Sequence, residues 1–513
     1  MLDLSGYTSD KDLSSVRLLE PSCGQGAFLS QIVERLCESA RTFDRPPGDL
    51  LESITAFDID SGSVEKSRLL ASKILESHDW DPVDAEAAVN RWICQSDFLL
   101  TNTKGCDLAI GNPPYVRSSN IPRDLRRRYI DAFETLTFGT DLFVGFIEAG
   151  LKSLSPNGKL CYICADRWMQ NSYGKKLRKF IVDNYHMDLI CRMHDTDAFE
   201  NKVGAYPAVI LVNGSSETKY VNCSKQFSSK DAPALYESVC GSAIDANGGF
   251  TMEVMPSFKK DGSPWTLANR SVLDWMRRAE RFPALEESGV NMGIGVATGE
   301  DEVFITDNRN LVESDVMIPL LCNGDMEHNL PPKSPSHWLV NPWNRDGTLV
   351  DLDRYPKLRS YFESNRDSLE NRHVARKNSQ SWYRTIDKVK PWLETSQKLL
   401  FSDMALRSEP ILDNGRYYPH HNLYWMTSDT WNLEVLGGIL MAEQTESVLD
   451  AIGVKMRGKT MRFQAQYLRM LHVPFQSDID KSVQNDLKEA FCNRDRTLAT
   501  EAAARAYGTE AAL

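Results

Sequence analysis

Seven short apolar runs, each followed by a turn or an amphipathic stretch, fill the first 215 residues. They are Val16–Leu19, Ser53–Phe57, Trp92–Cys94, Asp107–Ile110, Leu160–Cys164, Leu189–Met193 and Ala208–Val212. An amphipathic stretch, Ala27–Glu38, follows the first run, and Ser63–Leu75 follows the second. Strands separated by helical segments form a largely parallel sheet with helices on both faces. The expected class is therefore α/β. Sites in such sheets lie at the carboxyl ends of strands. Residues that carry chemistry should then stand directly after the runs, and they do.

At 513 residues the chain exceeds the usual span of one core, so two or three domains are expected. From about Asn213 to Thr266 the alternation weakens into Ser-, Lys-, Asp- and Gly-rich text such as NGSSETK and KKDGSP. From about Leu267 aromatics and basic residues interleave, and the alternation is lost. The expected division is 1–215, a linker or peripheral excursion over 216–266, and 267–513. The tail from Asp478 to Leu513 reads as one helix, polar and then Ala-rich.

Hydrophobic residues at 42% and charged residues at 25% exclude disorder as the main state. Lys plus Arg is 59 and Asp plus Glu is 71, so 59 − 71 = −12. That excludes a uniformly basic DNA coat but leaves room for a local basic cleft. The start MLDLSGYTSDKD lacks the features of a signal peptide, and no window approaches the roughly 18 apolar residues of a spanning helix. With eleven scattered cysteines, this points to a reduced cytoplasmic compartment and no membrane partner. Cys161 and Cys164 form a CxxC, but strand positions an odd number apart face opposite ways, and no metal site is expected.

Four motifs follow the first four runs. Glu20-Pro21-Ser22-Cys23-Gly24-Gln25-Gly26 is a Gly-containing turn with an acid at its front. The glycines permit a tight turn, and the acid suits a cationic ligand, such as an amino acid's ammonium, better than a pyrophosphate. Asp58-Ile59-Asp60 can accept from a ribose diol, although Asp60 is equally suited to cap a helix. Asp97-Phe98 can accept from an adenine amine and cover its ring; alone, a strand-end cap is the ordinary reading. Asn112-Pro113-Pro114-Tyr115 is the most specific. Two consecutive prolines make a rigid corner. Such a corner can hold the Asn112 amide oxygen and a main-chain carbonyl side by side, gripping one planar amine. Tyr115 can stack on the base that carries it.

Motifs of this kind in this order resemble the Taq-type gamma-class N6-adenine DNA methyltransferases, within the class I S-adenosylmethionine-dependent methyltransferases. The resemblance covers most of the chain. It implies a Rossmann-like methyltransferase domain and a C-terminal α+β target-recognition domain. Glu20, Cys23, Gly24 and Gly26 would surround the methionine part of the cofactor S-adenosylmethionine. Asp58 would hold the ribose, Ile59 pack on adenine, Asp97 accept from the adenine amine and Phe98 pack nearby. Asn112 and the Pro113 carbonyl would take the target amine in double-stranded DNA, with Tyr115 stacking on the flipped base. Gly139–Phe143 looks like the family's next motif, a helix beside the cofactor pocket, and Phe199 like a second stacking aromatic. The family's N-terminal helix and Thr-Pro element have no counterpart: only Met1 to Ser15 precede the first strand.

In the C-terminal half, Met292–Gly299, LLFSDM, GRYYPHHNLYWM and YLRMLHVP resemble the recognition domain of that family, more loosely. Arg372, His373, Arg376 and Lys377, followed by Trp382, Tyr383 and Arg384, form one basic and aromatic cluster. Lys455, Arg457, Lys459 and Arg462 form another. Both suit contact with DNA. A restriction–modification or defence system is the expected setting. A cognate restriction endonuclease would then sit on a separate chain, since the short N-terminus leaves no room for a nuclease module. The rivals are a protein-glutamine or RNA N-methyltransferase, which has a much shorter chain, and a non-catalytic DNA-binding defence subunit, against which the intact acids and Asn112 speak.

Overall fold

The computed structural model describes residues 1–194, 196, 206–213, 217–241, 249–326, 332–453 and 461–509. The chain divides into two compact units, Met1–Leu267 and Ala268–Leu513. Among the described residues, the first unit is built on a nine-stranded sheet. Its strands are β1 (Leu18–Glu20), β2 (Ile54–Asp58), β3 (Ile93–Gln95), β4 (Cys106–Gly111), β5 (Leu154–Ala165), β6 (Met187–Arg192), β7 (Pro207–Val212), β8 (Thr218–Cys223) and β9 (Phe250–Met255). Their order is β3-β2-β1-β4-β5-β7-β6-β8-β9. From β3 to β5 the pairings are parallel, and β7 runs antiparallel between β5 and β6.

All seven expected strands are present. Strands β6 and β7 are buried along their whole length, as strands covered on both faces must be. The helix Ala27–Thr42 buries Leu29, Ile32, Val33 and Leu36, a spacing that lays one stripe on the sheet. Helix Phe143–Lys152 is buried from Phe143 to Leu151.

The stretch 216–266, expected as a linker or peripheral excursion, contains strands of the first unit. It supplies β8 and β9, which extend the sheet beyond β6, and the unit runs on to Leu267. Strand β9 has no second neighbour in the sheet, and its exposed positions Thr251 and Val254 break the apolar run that marks a central strand. The tail also departs from expectation: Arg494, with φ 58°, splits it into Lys481–Asn493 and Arg496–Ala506.

The second unit is α+β. One four-stranded sheet orders β10 (Val290–Ile294), β18 (Leu423–Ser428), β14 (Gln397–Ser402) and β16 (Ile411–Asn414). Another orders β11 (Ile305–Thr306), β13 (His337–Val340), β12 (Met317–Leu321) and β17 (Tyr418–Pro419). A short ribbon pairs β15 (Met404–Ala405) with β19 (Met461–Arg462). Helices Leu433–Met441, Glu443–Ile452, Lys481–Asn493 and Arg496–Ala506 share a core with Val290, Met292, Leu399, Phe401 and Met426. No helix among the described residues is long and apolar enough to cross a membrane. All eleven cysteines are free thiols, Cys161 and Cys164 both buried in β5.

In the first of these sheets Lys398 and Asp413 face each other across β14 and β16, fully buried, with Nζ 2.7 Å from Oδ2. Removing one partner of such a pair strands a charge in the interior. Asp413→Ala should therefore lower stability by about 3–5 kcal/mol. Urea unfolding followed by tryptophan fluorescence measures this, and an unchanged midpoint refutes it.

Candidate active site

Glu20 ends β1. It is 1% exposed, and its Oε2 has no hydrogen-bond partner among the described residues. Burial first, and then the nearby Asp58 carboxylate, push its pKa well above the usual carboxylate range. The chain then turns through Gly24 and Gly26, at φ 53° and 88°, which side chains disfavour. A Cβ on Gly26 would also lie 3.2 Å from Ser67 Oγ and Leu70 Cδ2. Just before Gly24, burial pushes the Cys23 thiol pKa up to about 12 and keeps it protonated.

Asp58 ends β2 and organises this turn. Its Oδ2 accepts from Gly24 N at 2.9 Å, and its Oδ1 accepts from Asp60 N at 3.0 Å. Each oxygen keeps a lone pair for a ligand. Ile59 is 71% exposed, an apolar surface free to cover a ring. Asp60 caps the helix Ser61–Ser77, accepting from Ser63 N at 2.8 Å. Asp97, like Asp58, accepts one hydrogen bond on each oxygen. Oδ1 accepts from Leu99 N at 3.1 Å and Oδ2 from the Tyr129 hydroxyl at 2.7 Å. Phe98 is buried between the rings of Phe57 and Phe146, at 5.7 and 5.8 Å. This pair caps a strand end and fills the core; Asp97 reaches a ligand only through its remaining lone pairs.

Asn112 follows the last residue of β4. Its Oδ1 is buried with no partner among the described residues. Pro113 is buried, and Tyr115 is half-buried with its ring 6.4 Å from Phe143. Leu142 N donates to Val116 O at 3.0 Å, which binds the Gly139–Phe143 segment to the corner. A Cβ on Gly111 would meet Pro21 Cδ at 3.2 Å and Glu20 Cγ at 3.8 Å. The corner and the Glu20 turn are therefore in direct contact. Phe199 lies outside the described residues.

A further cluster at the same sheet edge escaped the sequence reading. Asp166 follows β5, Arg192 ends β6, His194 lies just beyond, and Tyr206 precedes β7. His194 Nε2 is hydrogen-bonded to Asp166 Oδ2, and Arg192 Nε is 3.3 Å from the same oxygen. Burial works to raise the Asp166 pKa, but His194 and Arg192 hold it below the usual range. Tyr206 stacks on His194 with ring centroids 4.4 Å apart. The available signal was positional: KLCYICAD and LICRMHD each put charge at the end of an apolar run.

In the second unit, two of the expected DNA contacts, Arg372 and Arg462, make bonds within their own unit. Arg372 donates to the carbonyls of Leu369, Thr298 and Trp382, and its guanidinium lies 5.1 Å from the centre of the Phe304 ring. Arg462 pairs with Asp403 beside the β15–β19 ribbon. Both hold their own fold together. Arg376 and Lys377 are exposed on the helix His373–Lys377. Lys455, Arg457 and Lys459 lie outside the described residues.

Residues 50–199 match the family described as Eco57I restriction-modification methylase. The chain is 36% identical to the type II methyltransferase M.BstVI of Geobacillus stearothermophilus, over 95% of this chain and 90% of that one. It is 37% identical to the type II methyltransferase M.PaeR7I of Pseudomonas aeruginosa, over 99% and 89%. Among solved structures, the Type IIL restriction-modification enzyme MmeI in complex with DNA matches with TM-score 0.63, over 99% of this chain and 72% of that one. At 11% identity this is a likeness of fold.

The residues present fit S-adenosylmethionine, the cofactor this family and the class I fold imply. Glu20 offers a buried carboxylate oxygen to a cation, Asp58 offers acceptors to a diol, and Ile59 offers an apolar cover. Without a cation beside it, Glu20 holds its proton to higher pH than an exposed glutamate; a cationic ligand favours its carboxylate. Affinity for S-adenosylmethionine should therefore rise with pH until the raised Glu20 pKa is passed, and then level off. Calorimetric titration across pH tests this. Glu20→Gln should bind more weakly and with a flatter profile; an equally steep profile in the variant removes Glu20 from the site.

Proposed function

The chain belongs to the type II methyltransferases of restriction–modification systems, and from that premise we propose that it methylates N6 of an adenine turned out of double-stranded DNA. The observation that carries this reading is Asn112 Oδ1, a buried acceptor without a partner, on a proline-stiffened corner that touches the Glu20 turn. A buried polar atom left unpaired costs about 1–3 kcal/mol, which a fold retains where a ligand completes the bond.

S-adenosylmethionine, when bound, supplies an electrophilic methyl on a sulfonium. The chain's own part is positioning and polarisation. Asn112 Oδ1 and the Pro113 carbonyl accept the two amine hydrogens of the target base. The nitrogen lone pair then points out of the base plane, free to attack. Tyr115, steadied by Phe143, stacks on the base, and Phe199 is the second aromatic of the proposal. Stacking returns about 1–3 kcal/mol per aromatic, against the few kcal/mol that extrusion costs. Transfer leaves a positive charge on N6, and the amine proton departs afterwards. No general base is required before the methyl moves.

In the second unit we assign phosphate contact to exposed Arg376 and Lys377, joined by Arg457 and Lys459. The setting that follows is cytoplasmic, with a cognate restriction endonuclease on a separate chain.

Methyl transfer from tritiated S-adenosylmethionine to DNA, followed by nucleoside mass spectrometry, tests the reading. N6-methyladenine is the expected product. Asn112→Ala should bind the cofactor normally yet lose on the order of 100-fold or more in transfer rate. A methylated cytosine, or full activity in the variant, overturns the assignment.

A further inference from the structure

Three acceptor atoms converge in the second unit, far in sequence from the methyl-transfer motifs. His420 Nε2 lies 2.8 Å from His421 Nδ1 and 3.3 Å from Asp301 Oδ2. One ligand atom from each of the three residues falls within 4.8 Å of the others. His420 is 5% exposed, and its second nitrogen, Nδ1, is buried without a partner among the described residues.

Hydrogen bonding alone does not resolve this arrangement. A neutral imidazole carries one N–H. If the His420 proton sits on Nε2, it must serve both His421 and Asp301, and Nδ1 is a bare buried acceptor. If it sits on Nδ1, that donor is buried without an acceptor, and the Nε2 lone pair faces a carboxylate. A cation at the point of convergence gives the lone pairs of His420 Nε2, His421 Nδ1 and Asp301 Oδ2 one common partner.

The backbone holds these groups in place. Val296 N donates to Pro419 O at 2.9 Å, and His421 N donates to Val296 O at 3.1 Å. A Cβ on Gly295 would fall 2.2 Å from His420 O, so only glycine allows the two segments to close this tightly. His420 N donates to Leu321 O, which fixes the same turn to β12. Asp301 opens the helix Asp301–Phe304, and its Oδ1 accepts from the Thr298 hydroxyl, leaving Oδ2 for the site. The Asp301 side chain is 47% exposed, which gives an ion a way in from solvent.

We propose that Asp301, His420 and His421 bind a transition-metal dication of the zinc class, with a remaining position open to water. Two imidazoles and one carboxylate suit zinc and its neighbours and disfavour the all-oxygen shells of magnesium and calcium. Ligand bonds of about 2.0–2.1 Å in a tetrahedron set neighbouring ligand atoms roughly 3.3 Å apart; His420 Nε2 stands 3.3 Å from Asp301 Oδ2 and 2.8 Å from His421 Nδ1, so the two imidazoles part slightly to share an ion. The ion ties the segment after β10 to the turn between β17 and β18. The adjoining group of Cys322, Asp325 and His337 is different: its one imidazole already lies 2.7 Å from Asp325 Oδ1.

Full-length protein stripped with EDTA and titrated with Co2+ provides the test. The expected result is visible d–d absorption saturating near one Co2+ per chain, displacement of that signal by Zn2+, and a higher melting midpoint with either metal. His421→Asn and Asp301→Asn should keep the circular dichroism spectrum and weaken Co2+ binding by on the order of tenfold or more. Absent d–d absorption, or equal affinity in wild type and both variants, overturns the site. The wild-type titration decides the matter even if a variant folds poorly.

Discussion

The parallel pairing of β1 with β4, Leu18 opposite Leu108 and Leu19 opposite Ala109, brings the chemistry of the first unit together. It carries Glu20 and Gly111 to the same sheet edge, so that the cofactor turn and the Asn112 corner begin side by side. The parallel pairing of β1 with β2 adds Asp58 to that edge. A register slip of one residue in β4 would swing Asn112 to the other face of the sheet. Burial on both faces is what forbids such a slip. The apolar core therefore sets the geometry of a polar site to which it contributes no reacting atom.

The electrostatics at that edge are deliberately unbalanced. Glu20 and Asp58 are two acids near each other, one of them buried and without a partner. In isolation this arrangement costs stability. It is sustained by the rest of the fold and relieved by a cation. Asp166 shows the opposite solution at the neighbouring strand ends, where His194 and Arg192 neutralise a buried acid from within the chain. The first arrangement leaves a buried carboxylate oxygen without a partner among the described residues, and the second neutralises its acid internally.

The strands and the main motifs were legible because short apolar runs bounded by turns alternate with amphipathic stretches, and because α/β sheets put chemistry at run ends. Asn112 was readable for a further reason: two prolines remove the ordinary alternatives for the backbone. Asp97-Phe98 was not separable from a cap by sequence, and the cap is what its hydrogen bonds mostly describe. Strands β8 and β9 were missed because polar residues interrupt them, Lys219 and Asn222 in β8 and Thr251 and Glu253 in β9, and an edge strand such as β9 tolerates this. The Asp166–His194–Arg192 cluster and the Asp301–His420–His421 group were not assembled from the sequence for another reason: their partners meet only once the sheets have formed. The break in the tail depends on a single left-handed residue, Arg494, which no periodicity reveals.

Clusters of basic residues overstate the charge a surface can offer to DNA. A guanidinium engaged with three carbonyls, as Arg372 is, has few donors left for a phosphate. Arg462 is neutralised by Asp403, and Lys398 is buried against Asp413. Arg494 donates to Pro410 O and Arg496 pairs with Glu446. In a chain of net charge −12, the cations that remain exposed carry a disproportionate share of any attraction to a polyanion. Position in the fold, and not the count of Lys and Arg in a stretch of sequence, decides which charges face the nucleic acid.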